Sequence, residues 1–201
     1  MIISHKHKFI YFKVEKVAST STELLLSNFC GEDDIVTDLD AEGHKHLPRN
    51  FDGIENHASS NQIRNLFGEN IFKEYFVFMN VRNPYDRIVS FFHFLRYKGN
   101  ARSANFSREF RKSIRVSSFS KYCMLNGEYI LDDYIKLESL NDDITRILRK
   151  LNLPFDNHIL PHTKSKINPH TKHYMDYYSD YQKQVVVENF KDDFERFKYE
   201  Y

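Results

Sequence analysis

The stretch Phe76-Val77-Phe78-Met79-Asn80-Val81-Arg82-Asn83-Pro84-Tyr85-Asp86-Arg87-Ile88-Val89-Ser90 decides how the rest of the chain is read. Its first six residues are too uniformly apolar for a half-exposed strand and suit a central parallel one, covered on both faces. Arg82-Asn83-Pro84 then turns the chain, and Pro84 fits just inside a helix start, where its missing N–H costs little. From about Tyr85 to Tyr97, residues Ile88, Val89, Phe92 and Leu95 fall on one helical face. Arg82 therefore leaves a strand end, and Ser90 follows on the helix. A planar guanidinium and a hydroxyl so placed suit an anion over the carboxyl end of a sheet. A salt bridge from Arg82 to a neighbouring loop is the other reading of these residues, and Arg87 reads as a structural ion-pair partner.

A second junction of the same kind lies upstream. Lys8 to Val14 is apolar, aromatic and β-branched and reads as a first strand. Thr20 to Phe29 then reads as a helix, capped by Ser19 or Thr20, with Leu24 and Leu25 facing inward. A helix start carries unpaired N–H groups and the positive end of the dipole, so it binds anions. Lys16 adds a mobile charge at the loop's mouth, and Ser19, Thr20 and Ser21 add small hydroxyl side chains. The loop is not a Walker A, since Gly-x4-Gly-Lys-Ser/Thr is absent. The same residues also describe an ordinary capped helix with a surface lysine. Two such junctions, each with a cation and hydroxyls, suggest a nucleotide with phosphates at both ends.

Further along, residues 30–56 are rich in Asp, Gly and His without periodicity and read as a long excursion. Ser59 or Ser60 caps a short helix carrying Ile63, Leu66 and Phe67 that stops at Gly68. Leu131 to Leu137 reads as a strand, and Leu140, Ile144, Ile147, Leu148 and Leu151 form a helical stripe ended by Pro154. A last helix spans roughly Ser179 to Phe190, with Phe194 and Phe197 as packing residues beyond it. Strands alternating with helices predict an α/β, three-layer domain: a central, mainly parallel sheet flanked by helices, with residues 1–201 as a single domain.

The 201 residues suffice for one domain with a real core. Hydrophobic and charged fractions of 41% and 28% are those of an ordinary soluble protein. With 18 Phe and no Trp, the core is expected to be Phe-rich. A net charge of +1 excludes a general polyanion magnet, and no nucleic-acid partner is expected. Yet Arg102, Arg108, Arg111, Lys112, Arg115 and Lys121 crowd a segment whose one acid is Glu109. That cluster is either a surface for something anionic or a solvated loop. Cys30 and Cys123 have no metal or redox spacing and read as free thiols. No leader and no span of about 18 apolar residues is legible, so a cytoplasmic protein without a transmembrane segment is expected.

Together these motifs resemble the sulfotransferase family, specifically short bacterial-type members of the carbohydrate sulfotransferase branch. Lys16-Val17-Ala18-Ser19-Thr20-Ser21 resembles that family's loop for the 5′-phosphosulfate, and Val81 to Ser90 closely resembles its 3′-phosphate motif. Asp133 to Leu140 is similar to a later strand-to-helix segment, and Asp193-Phe194-Glu195-Arg196-Phe197-Lys198-Tyr199 to a closing Asp-Phe-x-x-Phe-Gly-Tyr. Glu15, Ala18 and Lys136 stand where the family commonly has proline, glycine and arginine. Ala18 implies a loop that needs no positive φ at that position. The resemblance implies a P-loop-like fold, the co-substrate 3′-phosphoadenosine 5′-phosphosulfate, no metal, and transfer of a sulfuryl group to the hydroxyl of a carbohydrate-type acceptor, possibly anionic. It implies that Lys16 acts at the bridging oxygen, that the turn from Val17 to Ser21 holds the 5′-phosphate, and that Arg82 and Ser90 hold the 3′-phosphate.

Such a transfer needs a base, and a histidine suits that task. Of ten histidines, His57 is the first choice: Asn56-His57-Ala58-Ser59 resembles an element upstream of the 3′-phosphate strand in related sequences. His44 and His46 are the rivals, as base or as a ligand pair lacking a third member. His162 and His170 flank Lys164 and Lys166 in a late loop that could close over the nucleotide. The alternative to an enzyme is a nucleotide- or polyanion-binding module that keeps the fold without turnover. An unrelated P-loop kinase fits poorly, for want of both its loop and a magnesium-holding acid.

Overall fold

The computed structural model describes residues 1–39, 46–154 and 172–201. In order, its elements are β1 (Ile2–Ser4), β2 (Phe9–Phe12), α1 (Ser19–Ser27), β3 (Ile35–Val36), α2 (Ser60–Phe67), α3 (Ile71–Glu74), β4 (Phe76–Val81) and α4 (Pro84–Tyr97). There follow α5 (Phe106–Ser113), α6 (Ser120–Cys123), β5 (Met124–Leu125), β6 (Glu128–Tyr129), β7 (Asp133–Lys136), α7 (Leu140–Lys150) and α8 (Asp180–Phe197). They fall into two compact units. The first comprises the described residues up to Val81 together with 121–154, and the second Arg82–Ser120 with 172–201.

The first unit carries a five-stranded sheet in the order β3-β1-β2-β4-β7. β2 pairs with β4 and β4 with β7 in parallel, but β1 is antiparallel to both β2 and β3. The sheet is therefore mixed: β1 runs against the other four strands, and β2, β4 and β7 form the expected parallel part. The cause is Met1-Ile2-Ile3-Ser4, an apolar segment that forms a strand of its own. Residues 5–8 return it as the neighbour of β2, and so short a connection can join only antiparallel strands. Ser4 Oγ fixes the turn by accepting from the His7 N–H at 3.1 Å and donating to Asp34 Oδ2 at 2.8 Å.

Side chains alternate across this sheet. Ile2, Phe9, Tyr11, Phe78 and Ile135 share a face with Leu25 and Leu26 of α1 and Ile144, Ile147 and Leu148 of α7. On the other face Phe12 meets Phe72 of α3 and Tyr122 of α6, with ring centroids 6.4 and 6.3 Å apart. Helices thus cover both faces, as a strand apolar on both sides requires. α2 starts at a Ser59–Gln62 capping box and ends at Gly68, as its sequence predicts. Of its apolar residues only Ile63 is buried, while Leu66 and Phe67 remain exposed.

The second unit is helical. α4, α5, α8 and a 3-10 turn at Tyr174–Tyr177 enclose a core of Tyr85, Ile88, Val89, Phe92, Phe106, Phe110, Tyr178, Val186, Phe190 and Phe194. Phe106 packs edge-on against Phe92 and Tyr178 at 5.4 and 4.9 Å, an arrangement that adds to plain area burial. α5 turns Phe106 and Phe110 inward and leaves Arg108, Arg111 and Lys112 exposed. α8 runs beyond the expected end at Phe190. That residue is non-helical (φ −124°, ψ 22°), and the helix resumes to Phe197. Cys30 and Cys123 are not joined in a disulfide, and no helix among the described residues is long and apolar enough to cross a membrane.

Candidate active site

The loop between β2 and α1 is the more constrained of the two junctions. Lys16 (φ 65°) and Ala18 (φ 61°, ψ 20°) both sit in the left-handed region. For a residue with a Cβ this costs roughly 1–2 kcal/mol, so the surroundings must impose it. The expectation that Ala18 needs no positive φ is therefore overturned, as is that of a Ser19 or Thr20 cap. Ala18 itself is the N-cap, without a side-chain cap, and its carbonyl accepts from the N–H groups of Ser21 and Thr22 at 3.1 and 3.3 Å. Ser19 Oγ instead donates back across the loop to the Val14 carbonyl at 2.6 Å. Beneath the loop, Asn80 of β4 donates to the Val17 carbonyl (3.1 Å) and to Thr22 Oγ1 (2.9 Å), and accepts from the Tyr11 hydroxyl (3.0 Å). The first turn of α1 holds no acid, so an anion there meets the helix dipole unopposed by that turn. Lys16 stands half-buried at the loop's mouth.

Glu23, one turn into α1, gathers a charge cluster that sequence reasoning missed. Its buried carboxylate pairs with Lys13 Nζ and accepts from the Met1 amino group at 2.7 Å, while His46 Nε2 stands 3.8 Å away. Burial pushes this carboxyl up, but His46, the Met1 ammonium and Lys13 outweigh it and hold the group at about 2. Lys13, charged at its side chain, also offers its carbonyl oxygen to His57 Nδ1 at 2.7 Å. A carbonyl only accepts, so Nδ1 must carry the proton and the neutral ring keeps its lone pair at Nε2. Burial lowers the His57 pKa below its ordinary 6.5, against the upward pull of this bond and of Glu15. His57 therefore sits beside the chain that enters the Lys16 loop, neutral at pH 7 and with a basic nitrogen. Of its rivals, His46 faces Glu23, and His44, His162, His170, Lys164 and Lys166 lie outside the described residues.

At the second junction Arg82 follows β4 directly and opens the second unit. Its Nε donates to Asp86 Oδ2 at 2.7 Å, one turn on, which fixes the guanidinium plane. Asn83 caps α4, its side chain accepting from the Tyr85 N–H at 3.0 Å, with Pro84 at the first helical position. Ser90 is buried further along α4. Arg87, expected as a structural ion-pair partner, lies over the Phe119 ring, 4.3 Å from its centroid. The closing segment is structural too. Asp193 accepts from Ser118 Oγ (2.9 Å) and the Phe119 N–H (3.2 Å), Phe194 and Phe197 are fully buried, and Lys198 ends α8 at φ 54°. Lys198 thus adopts the conformation that glycine would supply there. Asp133 and Asp143, in the later segment of the first unit, both pair with Arg146.

The sequence signal for the missed residues was modest. Asn80 is the one polar residue in an apolar strand, and Glu23 interrupts the run from Leu24 to Leu26 on its N-terminal side.

No solved structure matches the chain. An uncharacterized protein of Archaeoglobus fulgidus is 36% identical over 98 residues, which span 46% of this chain and 80% of that protein. The model of the sulfotransferase family matches residues 1–200, both junctions and the closing segment included. With nearly its whole length inside that match, the chain belongs to the sulfotransferase family.

Proposed function

We propose that the protein transfers the sulfuryl group of 3′-phosphoadenosine 5′-phosphosulfate to a hydroxyl of a carbohydrate-type acceptor, with His57 as general base. The observation that carries this reading is the bond from His57 Nδ1 to the Lys13 carbonyl. It holds an imidazole beside the Lys16 loop in the tautomer a base requires. As the acceptor oxygen attacks sulfur, its proton passes to His57 Nε2. The bond from sulfur to the bridging oxygen breaks, and the charge left on that oxygen falls to Lys16. Transfers of this kind have loose transition states, and catalysis rests on positioning and charge stabilisation.

In this reading the N–H groups from Val17 to Thr20 hold the 5′-phosphate, and Arg82 and Ser90 hold the 3′-phosphate. The exposed cations of α5 favour an anionic acceptor. A second reading, a nucleotide-binding module without turnover, draws on Glu15, an acid whose charge reaches His57.

Metal-free calorimetric titration with adenosine 3′,5′-bisphosphate, alongside AMP and ATP–Mg, tests the donor. Preference for the bisphosphate, weakened about 10–100-fold in Arg82→Ala, is expected from the loss of charge-assisted hydrogen bonds. Equal binding of all three would sink the donor assignment. A bisphosphate-binding protein that gives no transfer to any saccharide acceptor would instead support the module.

A further inference from the structure

We infer that Asn80, with Tyr11 behind it, is a positioning residue for the donor's 5′-phosphate: it holds the Lys16–Ala18 loop in its left-handed form from beneath. The inference rests on the donor reading above. Asn80 is fully buried in a strand whose other residues are all apolar, an environment that penalises an amide unless every polar atom is paired. Here all are paired. The Val17 carbonyl only accepts, so the atom 3.1 Å from it is Nδ2, which fixes the amide's orientation. The second Nδ2 proton goes to Thr22 Oγ1 at 2.9 Å, and Oδ1 accepts from the Tyr11 hydroxyl at 3.0 Å. Tyr11 is itself fully buried, and its oxygen also lies 3.3 Å from the Ser19 carbonyl.

One side chain thus ties together three places: the residue between the two left-handed ones, the first turn of α1, and the central strand. Lys16 and Ala18 lack the freedom of glycine, so without these ties the loop relaxes toward ordinary φ and its N–H groups change direction. An apolar residue would pack as well in the strand. The amide is explained by the loop above it, not by the core around it.

The test measures what the 5′-phosphate adds to binding, as the ratio of affinities for adenosine 3′,5′-bisphosphate and adenosine 3′-monophosphate. In Asn80→Leu this ratio is expected to fall on the order of 10–100-fold, as for a misplacement of about 1 Å, while affinity for the 3′-monophosphate and the far-ultraviolet circular dichroism stay as in the parent. A merely structural role would lower the melting temperature and leave the ratio intact, and that result overturns the inference. Should Asn80→Leu fail to fold, Tyr11→Phe removes one hydroxyl from the same network. A several-fold drop in the ratio supports the inference, and an unchanged ratio overturns it. If the parent protein gains nothing from the 5′-phosphate, the donor reading itself has failed. That outcome is distinct from a parent that gains and a variant that keeps the gain.

Discussion

At the start of α1 stands Ala18 in a left-handed conformation, its side chain making no capping bond; at the start of α4, Asn83 caps the helix and Pro84 removes one donor outright. The first junction starts its helix on a strained backbone, without a bond from the cap side chain. The second caps its own terminus, and beside it the Arg82 side chain is pinned by Asp86. Backbone donors read any oxyanion, whereas a fixed guanidinium selects by position.

Their supports differ as well. The first unit anchors α1 through a buried carboxylate, Glu23, whose depressed pKa marks it as stabilised when ionised. The second anchors α8 through Asp193, whose carboxyl burial pushes up, against the pull of Arg87 and of hydrogen bonds from Phe119 and Ser118. The signs are opposite. Glu23 contributes stability above its unfolded value near 4.5 and loses it as pH falls toward 2. Asp193 opposes folding when ionised, so acid relieves it.

The largest effect expected concerns the base. His57→Ala should lower kcat/KM about 10²–10⁴-fold, and the acid limb of the parent's kcat/KM profile should lie below 6.5, where His57 protonates. Steady-state kinetics across pH read both, and an acid limb retained in the variant would move the base elsewhere. Next, Glu23→Gln leaves the Lys13 ammonium buried without its partner and should destabilise by about 3–5 kcal/mol in urea unfolding at pH 7. In the parent, amide exchange near pH 3 should expose α1 before α8, and the reverse order would break the contrast between the units. Asn83→Ala deletes a side-chain cap and should cost about 1 kcal/mol. Smallest is Ala18→Gly, which relieves the left-handed residue and should stabilise by about 0.5–1 kcal/mol in thermal unfolding. A loss of stability there would mean that the strain is not where the φ value places it.

What the chain disclosed by inspection followed from locality. Phe76–Val81, Pro84 just inside the start of α4 and a serine cap on α2, which Ser59 supplies, are written in adjacent residues, and all three formed as expected. β1 was hidden because three residues carry no periodicity. Its strand character depends on the pairings of Ile2 and Ile3 with Val36 and Ile35 on one side and with Tyr11 and Ile10 on the other. Ala18 and Lys198 were misleading at the level of residue type. Each takes a backbone form that its Cβ disfavours, because contacts distant in sequence or a helix end impose it. Lys16 was legible as a cation at a helix start, while its role and the choice of His57 came through family likeness. The Lys13 carbonyl that orients His57, and the Asn80 amide under the loop, were beyond reach, since both bonds join segments far apart in the chain.

The order of the strands also carries a timetable. β1 and β2 join through a tight turn and can pair within the microseconds of a hairpin. β2 meets β4 only by matching Phe9 with Phe76, and β4 meets β7 by matching Phe78 with Asp133, so both parallel ladders must first close long loops. Pulse-labelled amides of Ile2 and Tyr11 should therefore become protected ahead of those of Met79 and Ile135. The Lys16 loop, which hangs from β2 but is tied down by β4, takes its working shape only when the slower ladder forms.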